Sequence, residues 1–318
     1  MKNDNQNLNY ELISVAMATY NGEKFLRDQI DSVLAQSYPN IELVIGDDAS
    51  SDSTLRIIED YVQKDARIRV QKNNENIGFL RNFERIIYSC KGKYIAFCDQ
   101  DDIWERNHLS LLYDEIKCRQ VSLVGANADV VNEQMEPQGY TVLDTTGVVS
   151  IPQTTSDYRF MLFHINIFQG AAMMIDRDLI SYSLPIPEEI RFHDWWFALC
   201  AVENGGVSYL PQSVLKYRQH GKNITENEKS NVFQKFRRFF DLHKHRSDVD
   251  NISFLAQMLK VFENKSNDKE SVQDAVEYLN HIDKLKSFPY FYRNYFRIYR
   301  NNNRILKGLR IIKRCLTI

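Results

Sequence analysis

Three aspartates, Asp99, Asp101 and Asp102, fall within the stretch FCDQDDIW at positions 97–104. Carboxylates this close repel one another and resist desolvation. Their position after an apolar run therefore calls for a cation, a hydrogen-bonding ligand or open water. A solvated acidic turn would meet that need. A calcium loop of the EF-hand kind would not fit, because it needs Gly at its sixth position and Glu at its twelfth. Counted from Asp99, those positions hold Trp104 and Ser110. A magnesium or manganese site for a nucleotide diphosphate fits better, since such ions take one or two carboxylates and complete their shell with phosphate and water.

The elements that must position the cluster support that reading. ISVAMAT (13–19), IELVIG (41–46), IRVQ (68–71) and YIAFC (94–98) are short apolar runs that read as strands. Between them, Phe25, Leu26, Ile30, Val33 and Leu34 repeat at helical spacing, as do Leu55, Ile58 and Val62, and then Leu80, Phe83 and Ile87. Strand–helix alternation of this kind predicts right-handed crossovers and a mostly parallel sheet with helices on both faces. Ligands bind such sheets beyond the carboxyl ends of the strands. Here those ends carry Thr19-Tyr20-Asn21, Asp47-Asp48 and Asp99 through Asp102. Further on, VSLVGANADVV (121–131), AAMMID (171–176) and VLKYRQH (214–220) read as strands, and HDWWFALCAVEN (193–204) as a helix ending at Gly205-Gly206. Beyond about Asn231 the pattern is helical and charged. This divides the chain into an α/β domain over 1–228 and a helical C-terminal appendage over 229–318.

Other classes are less well served. A dinucleotide-binding oxidoreductase would need G-x-G-x-x-G after the first strand, whereas ATYNGEKF has a single Gly. A P-loop is absent. The five cysteines are scattered without a C-x-x-C pair, which excludes a zinc site of that type and fits a reducing cytoplasm. The N-terminal MKNDNQNLNYE lacks the apolar core of a signal peptide, and MLFHINIFQGAAMMI (161–175) is too short and too polar to span a bilayer. The net charge of −2 hides an asymmetry: Pro289–Ile318 holds eight Lys or Arg and no Asp or Glu. Such a basic segment, with Tyr295, Ile298, Ile305, Leu309 and Ile312 beside it, suits an anionic membrane surface; packing on the domain is the other reading. No nucleic acid is expected as a partner.

MATYNGEKFL (17–26), DDASSDST (47–54), NENIGFLRN (74–82), FCDQDDIW (97–104) and HDWW (193–196) stand in the order and at the separations of the family 2 glycosyltransferases. The chain resembles that family over roughly its first 220 residues. With YRQHGKN (217–223), it is most similar to bacterial rhamnosyltransferases of surface-polysaccharide assembly. The resemblance implies a GT-A (Rossmann-like) fold and an inverting, metal-dependent transfer of a sugar from a nucleotide diphosphate. The expected donor is dTDP-L-rhamnose or a UDP-hexose. The expected acceptor is a lipid-linked glycan at the cytoplasmic membrane surface, where the protein would be peripheral. The cofactor would be Mg2+ or Mn2+.

Carried over by position, the resemblance assigns Tyr20 to the nucleobase with Thr19 beside it. Asp47 or Asp48 would bind base or ribose, unless Asp48 only caps the following helix. Asp101 would bind the metal directly, and Asp99 would reach the ribose or the metal through water. Asp102 would support the metal or hold a donor-sugar hydroxyl. Gly78 would allow close backbone approach, or be an ordinary loop glycine. His220 would be a third metal ligand, a phosphate contact or a structural histidine. Asp194 would be the catalytic base, a helix cap, or both; His193 replaces the acidic residue that the family often carries before it. One of Trp195 and Trp196 would be core and the other an apolar wall for sugar. Outside this reading stand a nucleotidyltransferase, which would show a Gly-rich loop with Arg and Lys, and a non-catalytic nucleotide-sugar-binding member of the fold.

Overall fold

A computed structural model describes residues 10–148, 150–221 and 245–280. Among them, nine strands form one sheet. In chain order these are β1 (Ile13–Thr19), β2 (Ile41–Asp47), β3 (Ile68–Lys72), β4 (Tyr94–Cys98), β5 (Ile103–Trp104), β6 (Leu123–Val131), β7 (Pro137–Thr141), β8 (Met173–Asp176) and β9 (Val207–Arg218). The helices are α1 (Leu26–Leu34), α2 (Thr54–Val62), α3 (Phe79–Ser89), α4 (His108–Arg119), α5 (Val142–Thr146), α6 (Thr155–Leu162), α7 (Ile180–Ser183), α8 (His193–Glu203), α9 (His245–Phe262) and α10 (Lys269–Asn280).

The order across the sheet is β3-β2-β1-β4-β8-β6-β9-β5, with β7 paired to β6. The first four strands are parallel, as their alternation with helices predicts. The chain moves outward from β1 to β2 and β3, then returns to lay β4 on the other side of β1. That reversal opens a crevice between the ends of β1 and β4, where Thr19 and Cys98 lead into the Tyr20 and Asp99 loops.

Beyond β4 the sheet becomes mixed. Strand β8 runs antiparallel to both β4 and β6, and β9 runs parallel to β6. Two consequences follow for the site. The start of β8 lies at the carboxyl end of β4, because Ala96 pairs with Met174 and Tyr94 with Asp176. The end of β9 reaches the same edge, because β5, directly after the acidic cluster, pairs Ile103 with Lys216 and Trp104 with Leu215.

Both faces of the sheet are buried, which explains strands that are apolar without alternation. Ile13, Val15 and Met17 of β1 share a core with Ile30 and Val33 of α1, Ile57 and Ile58 of α2, and Leu109 and Leu112 of α4. On the opposite face, Ala16, Val44 and Phe97 pack with Phe83, Ile86 and Ile87 of α3 and Trp196 and Phe197 of α8. Phe254, Met258 and Phe262 of α9 and Val272 and Ala275 of α10 extend that second core. Glu203, at the end of α8, ties the helical pair down: it receives Arg159 Nε at 2.6 Å and the Asn267 N–H at 3.0 Å. The expected boundary at residue 228 and the basic segment over 289–318 lie outside the described residues. Among the described residues, no helix is long and apolar enough to cross a membrane.

Candidate active site

The acidic loop and the end of β9 close on each other. His220 Nε2 lies 2.9 Å from Asp101 Oδ2, and the His220 ring packs on Phe25 with centroids 5.0 Å apart. Asp102 is 1% exposed; its Oδ1 accepts the Arg218 N–H at 3.0 Å, while its Oδ2 is buried with no hydrogen-bond partner. Burial, and then the neighbouring Asp101 and Asp99 carboxylates, push the Asp102 carboxyl far above the usual range. Asp99 is half-buried, and burial with repulsion from Asp101 and Asp194 raises it to about 7.

Arg218, which sequence reasoning passed over, is the buried cation of this group. Its Nε donates to the Asp101 carbonyl at 3.0 Å and its Nη1 to the Glu133 carbonyl at 3.2 Å. It pairs with Asp28 at 3.2 Å, and its guanidinium lies 4.4 Å from the centre of the Phe25 ring. A basic residue in the last strand, two positions before a candidate ligand, was the available signal.

Asp101 and His220 bring a carboxylate oxygen and an imidazole nitrogen within 2.9 Å of each other. That donor pair fits manganese, and magnesium with more water in its shell. Among the described residues, no group of three or more His, Cys, Asp and Glu side chains is placed to hold one ion. The fit is to an ion that draws the remainder of its shell from phosphate and solvent.

Asp194 stands on the other wall. Phe192 occupies the N-cap of α8 and Asp194 the first turn, so the expected helix cap is not its position. Its Oδ1 accepts the Trp195 N–H at 2.6 Å, and the backbone of Gly170 also favours the ionised carboxylate. Burial outweighs these effects and raises the Asp194 carboxyl to about 7. Antiparallel β8 carries Gln169-Gly170 to the end of β4.

His193 turns away from this chemistry. It is stacked on Phe83, with ring centroids 4.6 Å apart, and touches Phe79 and Phe97. Both ring nitrogens are buried without hydrogen bonds, and burial lowers its pKa to about 3, so it is a neutral ring. A Cβ at Gly170 would lie 2.7 Å from His193 Nε2. Gly170→Ala is therefore expected to destabilise the fold by about 1–3 kcal/mol through overpacking. Adding His193→Ala should relieve the steric part. Urea denaturation of the two single variants and the double variant checks this, and strictly additive losses would refute the contact. Trp196 is fully buried, with its indole N–H on the Ser183 carbonyl at 2.8 Å. Trp195 is half-buried against Phe254 and bonds the Leu162 carbonyl at 2.8 Å.

The residues expected at a nucleotide lie at the neighbouring strand ends. Thr19 Oγ1 donates to Asp47 Oδ2 at 3.1 Å, and Asp47 also receives Ser50 Oγ at 2.6 Å. Asp48 does not cap α2. It accepts the Asn73 amide at 2.8 Å and the Ile77 and Gly78 N–H groups, each at 2.9 Å, and so shapes the turn before α3. Gly78 has φ 83°, and a Cβ there would meet nothing within 4 Å. Its backbone conformation thus calls for glycine, and no crowding from the chain itself does. Tyr20 is 47% exposed, so its ring is available. Gln100, also passed over in the sequence, bonds the Tyr20 backbone.

The chain is similar to known proteins in sequence and in fold. The model of the family described as "Glycosyl transferase family 2" matches residues 14–183. The Escherichia coli UDP-Glc:alpha-D-GlcNAc-diphosphoundecaprenol beta-1,3-glucosyltransferase WfaP is 30% identical over 218 residues, covering 69% of this chain and 81% of that protein. The crystal structure of Staphylococcus aureus TarS 1-349 with UDP-GlcNAc superposes with a TM-score of 0.55 at 18% identity, covering 91% of this chain and 89% of that one. The mannosyltransferase PcManGT from Pyrobaculum calidifontis, in complex with GDP-Man and Mn2+, gives a TM-score of 0.55 at 15% identity, covering 90% of this chain and 73% of that one. The chain belongs to glycosyl transferase family 2, and its fold is that of the GT-A glycosyltransferases.

Proposed function

We propose that the protein transfers a sugar, with inversion, from a nucleotide diphosphate to a hydroxyl of a lipid-linked glycan in bacterial surface-polysaccharide synthesis. One observation carries this reading: His193, the residue before Asp194, packs on Phe97, two residues before Asp99, which brings Asp194 to the strand end that carries the Asp101–His220 pair. A base and a charge-binding group therefore face one space. Asp101 and His220 would hold Mg2+ or Mn2+, with Asp99 acting from beyond the direct ligands. When bound, such an ion stabilises negative charge on the departing diphosphate. Asp194 removes the acceptor hydroxyl proton as that oxygen attacks the anomeric carbon, and a carboxyl near 7 is better matched to this task than an ordinary one. Tyr20, Thr19, Asp47, Asp48 and Gly78 would bound the nucleoside, and Asp102 would hold a donor-sugar hydroxyl through its unpartnered oxygen.

The relative that uses UDP-Glc favours a UDP-hexose as donor over dTDP-L-rhamnose. Its diphosphoundecaprenol acceptor supports a lipid-linked one here. The basic segment over 289–318 would then hold the enzyme at an anionic membrane face. Donor hydrolysis tests the reading. Incubation with UDP-glucose, UDP-N-acetylglucosamine and dTDP-L-rhamnose, with and without manganese, should release nucleotide diphosphate from one donor. Binding without release from any donor, in the presence of acceptor lipid, would make the protein a binder and overturn the enzymatic reading. Sedimentation with anionic vesicles at low salt and release at high salt checks the membrane part, and indifference to vesicles would refute it.

A further inference from the structure

The loop that carries the acidic cluster also grips the loop that carries Tyr20. Gln100 Oε1 accepts the Tyr20 N–H at 2.9 Å, and Gln100 Nε2 donates to the Tyr20 carbonyl at 3.1 Å. One side-chain amide thus satisfies both backbone groups of one residue, as a strand neighbour would, across the crevice between β1 and β4. Gly22 makes room for it: a Cβ there would lie 2.1 Å from Gln100 Oε1 and 2.5 Å from its Cδ. The Tyr20 loop is bonded in turn to the loop after β2. The Asn21 N–H reaches Ser50 Oγ at 2.9 Å, the Gly22 N–H reaches Thr54 Oγ1 at 2.8 Å, and Asn21 Oδ1 accepts the Ser51 N–H at 2.8 Å. Gln100 is therefore the link between Asp99 and Asp101, which flank it, and a Tyr20 ring left 47% exposed.

We infer that Gln100 is a positioning residue for the donor nucleotide, holding Tyr20 so that its ring bounds the nucleoside while the neighbouring carboxylates serve the diphosphate end. The inference rests on the nucleotide-sugar reading above. It assigns Gln100 to the base end of the ligand, although its chain neighbours belong to the phosphate end. Removing the clamp should weaken every ligand that carries the nucleoside by the same factor, whatever its phosphates.

Calorimetry on the full chain separates the possibilities. The probes are UMP, UDP, dTMP and dTDP, each in EDTA, and UDP and dTDP again with manganese. Gln100→Leu, which keeps the side-chain size and removes both hydrogen bonds, should weaken the preferred mono- and diphosphate equally, by about tenfold. Gly22→Ala should do the same by pushing the amide aside. Added to Gln100→Ala, it should cost nothing more, because the clash partner is gone; a structural role unrelated to the clamp would not show this cancellation. A Gln100→Leu variant with wild-type affinities overturns the inference. So does a loss confined to the diphosphates, which would place Gln100 in the phosphate site. A wild-type chain that binds none of the nucleotides would overturn the nucleotide-sugar reading itself, and the inference with it.

Discussion

Asp194→Asn should lower turnover by roughly 10²–10⁴-fold, the range for losing a general base, with donor binding unchanged. The amide keeps the shape of the carboxylate and can still accept the Trp195 N–H, but it cannot take a proton. In the wild type, kcat/KM should climb as pH rises through about 7, because Asp194 must be ionised to act. The same group should oppose stability. Its folded pKa of about 7 lies above the ordinary value of 3.8, so the folded state holds its proton longer than the unfolded state does. Stability contributed by this proton is full below the ordinary value and is lost as pH rises towards about 7. The Asn variant escapes that loss, so it should melt higher than wild type at pH 8 and close to it at pH 4. Loss of activity together with this pH-dependent gain in melting temperature is what a buried base predicts. Retained turnover would place the base elsewhere.

The parallel half of the sheet was legible because each of its strands is an apolar run closed by turn residues. β1 and β4 end at the expected residues, and β2 and β3 run one residue further. In the other half, β6, β8 and the end of β9 also fall on expected strands, but β5, β7 and the start of β9 do not, for local reasons. Strand β5 has only Ile103 and Trp104, too few residues to show a period. Strand β9 begins at Val207, well before the expected VLKYRQH, because Pro211 argues against a strand. The structure accommodates that proline where the register with β6 shifts, between Leu210 and Ser213, and its carbonyl accepts the Asn127 amide at 3.3 Å.

Much the same division runs through the site. Asp99, Asp101, Asp102 and Asp194 announce themselves as acids beside apolar segments. Arg218, Gln100 and Gly170 do not, since what they do depends on strands that meet only in the fold. The pairing of β5 with β9 is what brings Arg218 and His220 onto the acidic loop. His193 shows the converse. It stands where the family often carries an acid, and the core among Phe79, Phe83 and Phe97 gives it no chemistry. Asp48 differs again: its carboxylate is fully engaged in shaping the turn before α3, a use that no helix-capping rule points to.

Asp101→Asn should abolish the effect of metal on activity, with a loss of roughly 10²-fold or more, comparable to that of excess EDTA on the wild type. Asp99, Asp101 and Asp102 lie together, two of them with raised pKa values, and Asp101 has His220 2.9 Å away. The fold holds these carboxylates together against their mutual repulsion. Neutral Asn at 101 relieves part of it, so the metal-free variant should be at least as stable as the wild type at pH 8. Manganese with UDP should raise the melting temperature of the wild type, since anything that binds only the folded state stabilises it. The variant should show little of that rise. His220→Gln should act more mildly, raising the manganese concentration needed for half-maximal activity by roughly 10–100-fold, with turnover at saturating metal largely retained. Full activity of the wild type in EDTA would refute the metal reading. An Asp101→Asn variant that keeps its manganese-dependent rise in melting temperature would move the ligand from Asp101 to another carboxylate of the loop.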